Sequence, residues 1–329
     1  MSSTHAIIIG KFLPPHKGHE FLIRFAQSLF PSLTIVVDCT PHQELPTELR
    51  VKWLRELFPS VEVVGLTQPT PQEPSEHPQF WEFWKNTLQT ASSKPITHVV
   101  ASETYGVKLA EALGATFIPC NPSRDTVNIS ATRVKQDPKN HWHQLINPAK
   151  PYFTKLIRLM GPESTGKSTL AKNLAQKLDC PYVPEYAKDF IIVKGGVTQE
   201  DMPLFATGQT AQIQAALEVN QRNPYVICDT CPLTTKVWTN TLYGTTLEIT
   251  APHTFDLTFL IYPTNPWVGD VHRNVLKDSH TEDSRLKMFN DMLKELQQTG
   301  CNPIILKGSF EENEAQALEA INNLTFNLP

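Results

Sequence analysis

The sequence predicts an α/β protein made of two parallel-sheet domains, and three observations carry that prediction. Short β-branched runs alternate with stretches of helical period, the pattern of strands separated by covering helices. The alternation runs as two series with a proline-bracketed segment between them. The chain of 329 residues is also too long for one ordinary core, and at about 150 residues per domain it holds two.

The first strand is the run Ala6 to Gly10, followed by the periodic stretch Phe21, Leu22, Ile23, Phe25, Ala26 and Leu29, which reads as a helix. The runs 33–39 (LTIVVDC), 61–66 (VEVVGL), 97–103 (THVVASE) and 115–120 (ATFIPC) complete the first series. Gln68 to Gln79 carries prolines at 69, 71, 74 and 78 and no apolar period. It is a loop, suited to line or cover a site and equally to serve as a plain connection. The second series comprises 155–161 (KLIRLMG), 225–230 (YVICDT), 255–262 (FDLTFLIY) and 303–307 (PIILK). Between the series, prolines 138, 148 and 151 bracket one short helix, which sets the expected domains at 1–147 and 148–329.

Composition excludes several partners. Net charge is −4 with no Lys/Arg block, so the electrostatic footprint of nucleic-acid binding is missing. No apolar run approaches the roughly 18 residues of a membrane span, and the N-terminus lacks the basic and apolar regions of a leader. A cytoplasmic enzyme with small-molecule partners is expected, with homo-oligomerisation left open. The six cysteines are scattered, which suits reduced thiols. Cys228 and Cys231 have metal-like spacing but no second pair, and Cys228 ends an apolar run, so a buried strand thiol is the better reading.

Two segments carry chemistry. In the first, Gly10-Lys11-Phe12-Leu13-Pro14-Pro15-His16-Lys17-Gly18-His19, the imidazoles lie one turn apart at a strand-to-helix corner. Unpaired N–H groups and the positive end of the helix dipole make such a corner an anion site. Gly18 lets backbone approach the anion, and a triphosphate suits the arrangement. A zinc half-site fits less well, because helical zinc pairs more often use i,i+4 and no HExxH glutamate follows.

The second, Gly161-Pro162-Glu163-Ser164-Thr165-Gly166-Lys167-Ser168, satisfies GxxxxGK[ST] between an apolar strand and a helix opening at Thr169. That is the context of a P-loop, in which backbone N–H groups wrap phosphates, Lys167 reaches the β/γ oxygens and Ser168 ligates magnesium. Asp229 ends a strand, the place of a magnesium-side carboxylate or, alternatively, of a cap for the helix beginning at Pro232. Glu185 is a candidate for a sugar hydroxyl or the attacking hydroxyl, with a solvated loop acid as the other reading. Arg273 and Arg285 are candidates for a lid arginine on the transferred phosphoryl group, with ordinary surface charge as the other reading.

The first segment resembles the GxFxPxHxGH signature of the nucleotidylyltransferase superfamily, and Ile129-Ser130-Ala131-Thr132-Arg133-Val134-Lys135 resembles its second signature, ISxTxxR. The resemblance implies a Rossmann-like nucleotidylyltransferase domain in which Gly10, Lys11, Phe12, His16, Gly18, His19, Ser130, Thr132 and Arg133 hold ATP. The final arginine of the second signature is Lys135 here, which keeps charge without a bidentate fork, so Lys135 or Arg133 takes that role. Joined to a P-loop kinase domain, the chain resembles the NadR family, with further echoes in Glu48-Leu49-Arg50, Phe80-Trp81-Glu82-Phe83-Trp84, Glu185-Tyr186-Ala187 and Asn265-Pro266-Trp267-Val268-Gly269-Asp270. Lys188 stands where the family's arginine is expected.

The resemblance implies magnesium-dependent phosphorylation of ribosylnicotinamide by the C-terminal domain and adenylyl transfer to the mononucleotide by the N-terminal domain, giving NAD and pyrophosphate. Trp81 or Trp84 would then stack on the nicotinamide ring, although their one-turn spacing also suits two core residues. Trp267, Asp270 and Arg273 are implied on the kinase substrate side. The first strand starts at residue 6, so the helix-turn-helix repressor of some relatives is not expected. A coenzyme A synthase, which also fuses an adenylyltransferase with this histidine signature to a P-loop kinase but has a kinase loop richer in glycine, is one alternative. From a different class, a nucleotide-binding regulator with one inactive domain is the other alternative.

Overall fold

The structure is a computed structural model that describes residues 4–40, 45–250, 252–264 and 281–326. The chain divides into two compact units, one ending at Tyr152 and the other running Phe153–Thr325.

The first unit holds a five-stranded parallel sheet of β1 (Ala6–Gly10), β2 (Leu33–Val37), β3 (Glu62–Gly65), β4 (His98–Ala101) and β5 (Thr116–Pro119) in the order β3-β2-β1-β4-β5. Its helices are α1 (Lys17–Leu29), α2 (Thr47–Leu57), α3 (Phe80–Ala91), α4 (Tyr105–Leu113) and α5 (Ala131–Gln136), and the short α6 (Lys150–Phe153) lies at the junction. Strand β2 is buried along its whole length, which is why its sequence is a continuous apolar run and not an alternating one. The chain leaves β1 on one side toward β2 and returns on the other as β4, so the strand order reverses there. In open α/β sheets the crevice at the strands' C-terminal ends beside such a reversal is where ligands bind, and α1 starts from that end of β1.

The second unit repeats the architecture with β6 (Lys155–Met160), β7 (Tyr182–Val183), β8 (Tyr225–Asp229), β9 (Leu257–Ile261) and β10 (Ile304–Leu306), ordered β10-β9-β6-β8-β7 and parallel throughout. Its helices are α7 (Lys167–Lys177), α8 (Tyr186–Lys194), α9 (Met202–Val219), α10 (Pro232–Tyr243), α11 (Glu282–Gln298) and α12 (Phe310–Asn322). One apolar layer joins Met160, Leu260, Leu233 and Val237 to Met288, Met292 and Leu296 of α11; another packs Leu156, Val226 and Cys228 against Ile213 and Leu217 of α9. Strand β7 escapes sequence reading because it has two residues between Pro181 and Pro184, although the Pro181 carbonyl accepts from Ile227 N–H at 3.0 Å. Among the described residues no helix is long and apolar enough to cross a membrane.

Trp84 is 7% exposed and packs with Ile7, Val36, Leu88 and Val99, its indole N–H donating to the Pro71 carbonyl at 3.2 Å. It is a core residue that pins the proline-rich loop, which corrects its candidacy as an open stacking platform. Trp81 is half-buried against the same cluster. The loop is tied at a second place, where Gln72 donates to Asp38 Oδ2 at 2.9 Å and Thr70 N–H to the Cys39 carbonyl at 3.0 Å.

Candidate active sites

In the first unit His16 is the N-cap of α1. Its Nδ1 accepts from Gly18 N–H at 3.1 Å, and its own N–H donates to His19 Nδ1 at 3.3 Å, a reciprocal capping box built from two imidazoles. The rings stack with centroids 3.8 Å apart and an interplanar angle of 25°. With both Nδ1 atoms accepting, each neutral ring must carry its proton on Nε2. Burial lowers the His16 pKa to about 4, with Arg124 acting in the same direction. Burial, then His16, then Arg124 hold His19 well below the ordinary imidazole value. At neutral pH the pair therefore carries two neutral N–H groups and no cation.

The glycines serve this packing. A methyl group on Gly18 would lie 2.9 Å from His16 Cε1 and 3.4 Å from Ile129 Cγ2. One on Gly10 would lie 3.1 Å from the ring of Phe12, a buried residue at φ 51° whose ring sits 4.7 Å from that of His19. The Ile129 approach shows that the second signature lies against the first. Ser130 caps α5, its Oγ accepting from Arg133 N–H at 3.3 Å. Arg133 is exposed and reaches Asn128 Oδ1 at 2.9 Å, Thr132 is exposed and Lys135 half-buried. Lys11 is exposed.

Two residues to which the sequence assigns no role support this corner, Arg50 having entered only as part of a family echo. Arg124, at φ 59° and paired with Glu103 at 3.2 Å, is the cation whose field reaches both imidazoles. Arg50 is wholly buried and donates to the Lys11 carbonyl, to the Asp38 carbonyl at 3.0 Å and to Thr47 Oγ1 at 2.9 Å, tying together the chain just past β1 and β2. The segment predicted as a short helix forms a 3₁₀ turn, Trp142–Gln144, after which Leu145 pairs antiparallel with His16.

In the second unit the loop after β6 opens α7 at Lys167, with Gly166 at φ 78° and Ser164 at φ 57°. Gly161 lies at φ 155°, where a methyl group would meet the Ile261 carbonyl at 3.0 Å. Thr165 Oγ1 donates to the Pro162 carbonyl at 3.0 Å. Ser168 is half-buried, Thr169 exposed, and the Lys167 ammonium lies 4.0 Å from Asp229 Oδ1. Asp229 does not cap α10, whose N-cap residue is Cys231. Its Oδ2 accepts from Tyr182 at 3.1 Å, whereas the buried Oδ1 has no hydrogen-bond partner among the described residues. An orphaned carboxylate oxygen beside a P-loop fits a divalent cation held jointly with a nucleotide's phosphates, since magnesium takes one or two carboxylates and completes its shell with phosphate and water.

Next to it opens a cleft bordered by Glu163, Glu185, Lys188, Phe205, Trp238 and Leu242. Trp238 and Phe205 carried no sequence signal beyond that of helix core. Thr230, a β-branched residue at φ 77°, also borders the cleft directly after Asp229, the kind of strained backbone that collects at functional sites. Arg285 is buried in the first turn of α11 and is neither a surface charge nor part of a loop. Trp267, Asp270 and Arg273 lie outside the described residues. Cys228 is a buried strand thiol, its pKa pushed well up by burial. Among the described residues no group of three or more His, Cys, Asp or Glu side chains could hold a metal by itself.

Comparison with known proteins places both units in one context. A model described as an AAA domain matches residues 156–313. The trifunctional NAD biosynthesis/regulator protein NadR of Salmonella typhimurium is 25% identical over 314 residues, covering 88% of this chain and 76% of that protein. The chain is NadR-like. The Escherichia coli NadR is likewise 25% identical, over 297 residues, with 83% and 72% covered. A solved NadR protein in complex with NR superposes with a TM-score of 0.76 at 22% identity, covering 99% of this chain and 96% of that one. A NadR protein in complex with NAD and AMP-PNP gives 0.74 at 22% identity, covering 98% and 96%. The NadR-like character thus spans both units and shows that they share the fold of those structures.

Proposed function

We propose that this NadR-like chain is a bifunctional enzyme of NAD salvage, with a ribosylnicotinamide kinase in the second unit and a nicotinamide-mononucleotide adenylyltransferase in the first. What supports the reading is that the chain has two helix-opening corners of different chemistry, each suited to phosphate. One is a pair of imidazole Nε2–H donors at a helix start, the other a wrapped loop with Lys167. The names of the NadR relatives, and the NR, NAD and AMP-PNP held by the solved NadR structures, support the choice of substrates.

In the second unit the loop N–H groups and Lys167 would hold the β- and γ-phosphates, with Glu185 at the cleft positioning the attacking 5′-hydroxyl. Magnesium, held by Ser168 and Asp229, would neutralise phosphate charge. In the first unit the mononucleotide phosphate is already an anionic nucleophile, so no base is needed for its attack on the α-phosphorus. The Nε2–H groups of His16 and His19, with Ser130 and Thr132, would donate to the charge that develops there. Because the imidazoles are neutral, positive charge would come from Lys11, Arg124, Arg133 and Lys135.

The test is mass analysis of products from ribosylnicotinamide and Mg-ATP. His19→Ala is expected to accumulate the mononucleotide. Lys167→Ala is expected to make none and yet to convert mononucleotide that is supplied. Phosphorylation of the nucleoside by Lys167→Ala at the parent rate would defeat the kinase assignment.

A further inference from the structure

We propose that Arg285 is a positioning residue of the phosphate-binding loop, one that turns the loop's N–H groups inward by holding its carbonyls from outside. The side chain leaves the first turn of α11 and is 3% exposed. Its Nε donates to the Glu163 carbonyl at 3.1 Å and its Nη2 to the Ser164 carbonyl at 3.4 Å. In a trans peptide the C=O and the following N–H point in opposite directions. Holding those two carbonyls therefore directs the N–H groups of Ser164 and Thr165 the other way, into the concavity that receives an anion.

The loop needs such a brace. Ser164 is a non-glycine residue at φ 57°, a conformation that persists only where its surroundings over-determine it. A carbonyl turned away from the phosphates and buried must also find a donor. A guanidinium can span two neighbouring carbonyls in one plane, whereas a lysine ammonium is a single point. The assignment differs from that of a lid arginine on the transferred phosphoryl group, because the bonds described go to loop carbonyls.

The inference rests on the reading that this loop takes nucleotide, and the experiment separates the two. ADP binding is measured by calorimetry on the full chain, with kinase kinetics, for the parent, Arg285→Met, Arg285→Lys and Lys167→Ala. Arg285→Met removes this donor from the two carbonyls of a half-buried loop and is expected to bind ADP about tenfold more weakly. It should raise the KM for ATP while holding kcat at saturating ATP within about threefold, since a group acting through the loop affects binding of ground and transition states alike. Arg285→Lys should fall between, at about threefold weaker binding, and adenylyl transfer in the first unit should be unchanged in both.

Full ADP affinity in Arg285→Met, with or without a fall in kcat, overturns the proposal. If the methionine variant shows no cooperative thermal transition, the lysine variant decides, and parent-like ADP affinity in it overturns the proposal equally. A parent chain that binds no ADP, or Lys167→Ala that binds it normally, means that the nucleotide reading has failed and the proposal falls with it.

Discussion

His16 illustrates how one residue couples structure to chemistry, because a single ring caps a helix by accepting from Gly18 and keeps its other nitrogen, Nε2, as a donor. Its folded pKa of about 4 lies below the ordinary 6.5, so the folded state refuses a proton that the unfolded state accepts. Stability on this account is full above pH 6.5 and falls as pH drops from 6.5 to 4, by about 3 kcal/mol from His16 alone. Urea unfolding at pH 7 and pH 4.5 checks the sign. His16→Asn, which retains a capping side chain, should lose less stability over that interval than the parent. The same lowered value means that adenylyl transfer should not decline between pH 8 and 6 through titration of these rings, which a rate profile tests directly. Gly18→Ala places a methyl 2.9 Å from His16 Cε1 and 3.0 Å from Nδ1. Displacing a ring held for positioning costs on the order of 10²-fold in rate. Product analysis should show that loss in adenylyl transfer with the kinase step intact.

At the level of elements, the legible parts were those with long patterns or fixed spacing. Nine of the ten strands among the described residues are apolar runs in the sequence, and the strand-to-helix corners after β1 and β6 fall where their motifs put them. What escaped has a common physical cause, which is that it depends on neighbours distant in sequence. Strand β7 is two residues long, and its Tyr182 becomes informative only when β8 brings Asp229 within 3.1 Å. Arg50 lies on α2 in what reads as a charged helix face, yet it is wholly buried because the carbonyls past β1 and β2 converge on it. Arg50→Met should therefore behave as the loss of a buried network, destabilising by about 3 kcal/mol or more, and chemical denaturation measures it. Trp84 was legible as core packing, but its N–H bond to Pro71 was not. Trp84→Phe keeps most of the packing of α3 and drops that bond, for an expected loss of about 1 kcal/mol. Faster proteolysis within residues 68–79 would report the loosened loop.

The whole molecule consists of two compact units, each with its own parallel sheet and buried core, so its unfolding need not be a single transition. The two sites give each unit a separate handle. In the first, His5, His16 and His19 all have lowered pKa values, whereas among the described residues of the second only His253 does. Acidification below pH 6.5 should therefore weigh more heavily on the first unit. If the loop after β6 takes nucleotide as proposed, ADP would stabilise only the unit that binds it, by about 2.7 kcal/mol at a hundredfold excess over its Kd. Calorimetric scans at pH 7 and pH 5.5, each with and without ADP, should show one transition that moves down with acid and ignores ADP. A second should move up with ADP and respond less to acid. In Lys167→Ala the ADP-dependent displacement should vanish while the acid-dependent one persists. If acid and ADP act on one and the same transition in every scan, the two cradles do not belong to separately folding units, and the assignment of one activity to each half loses its thermodynamic basis.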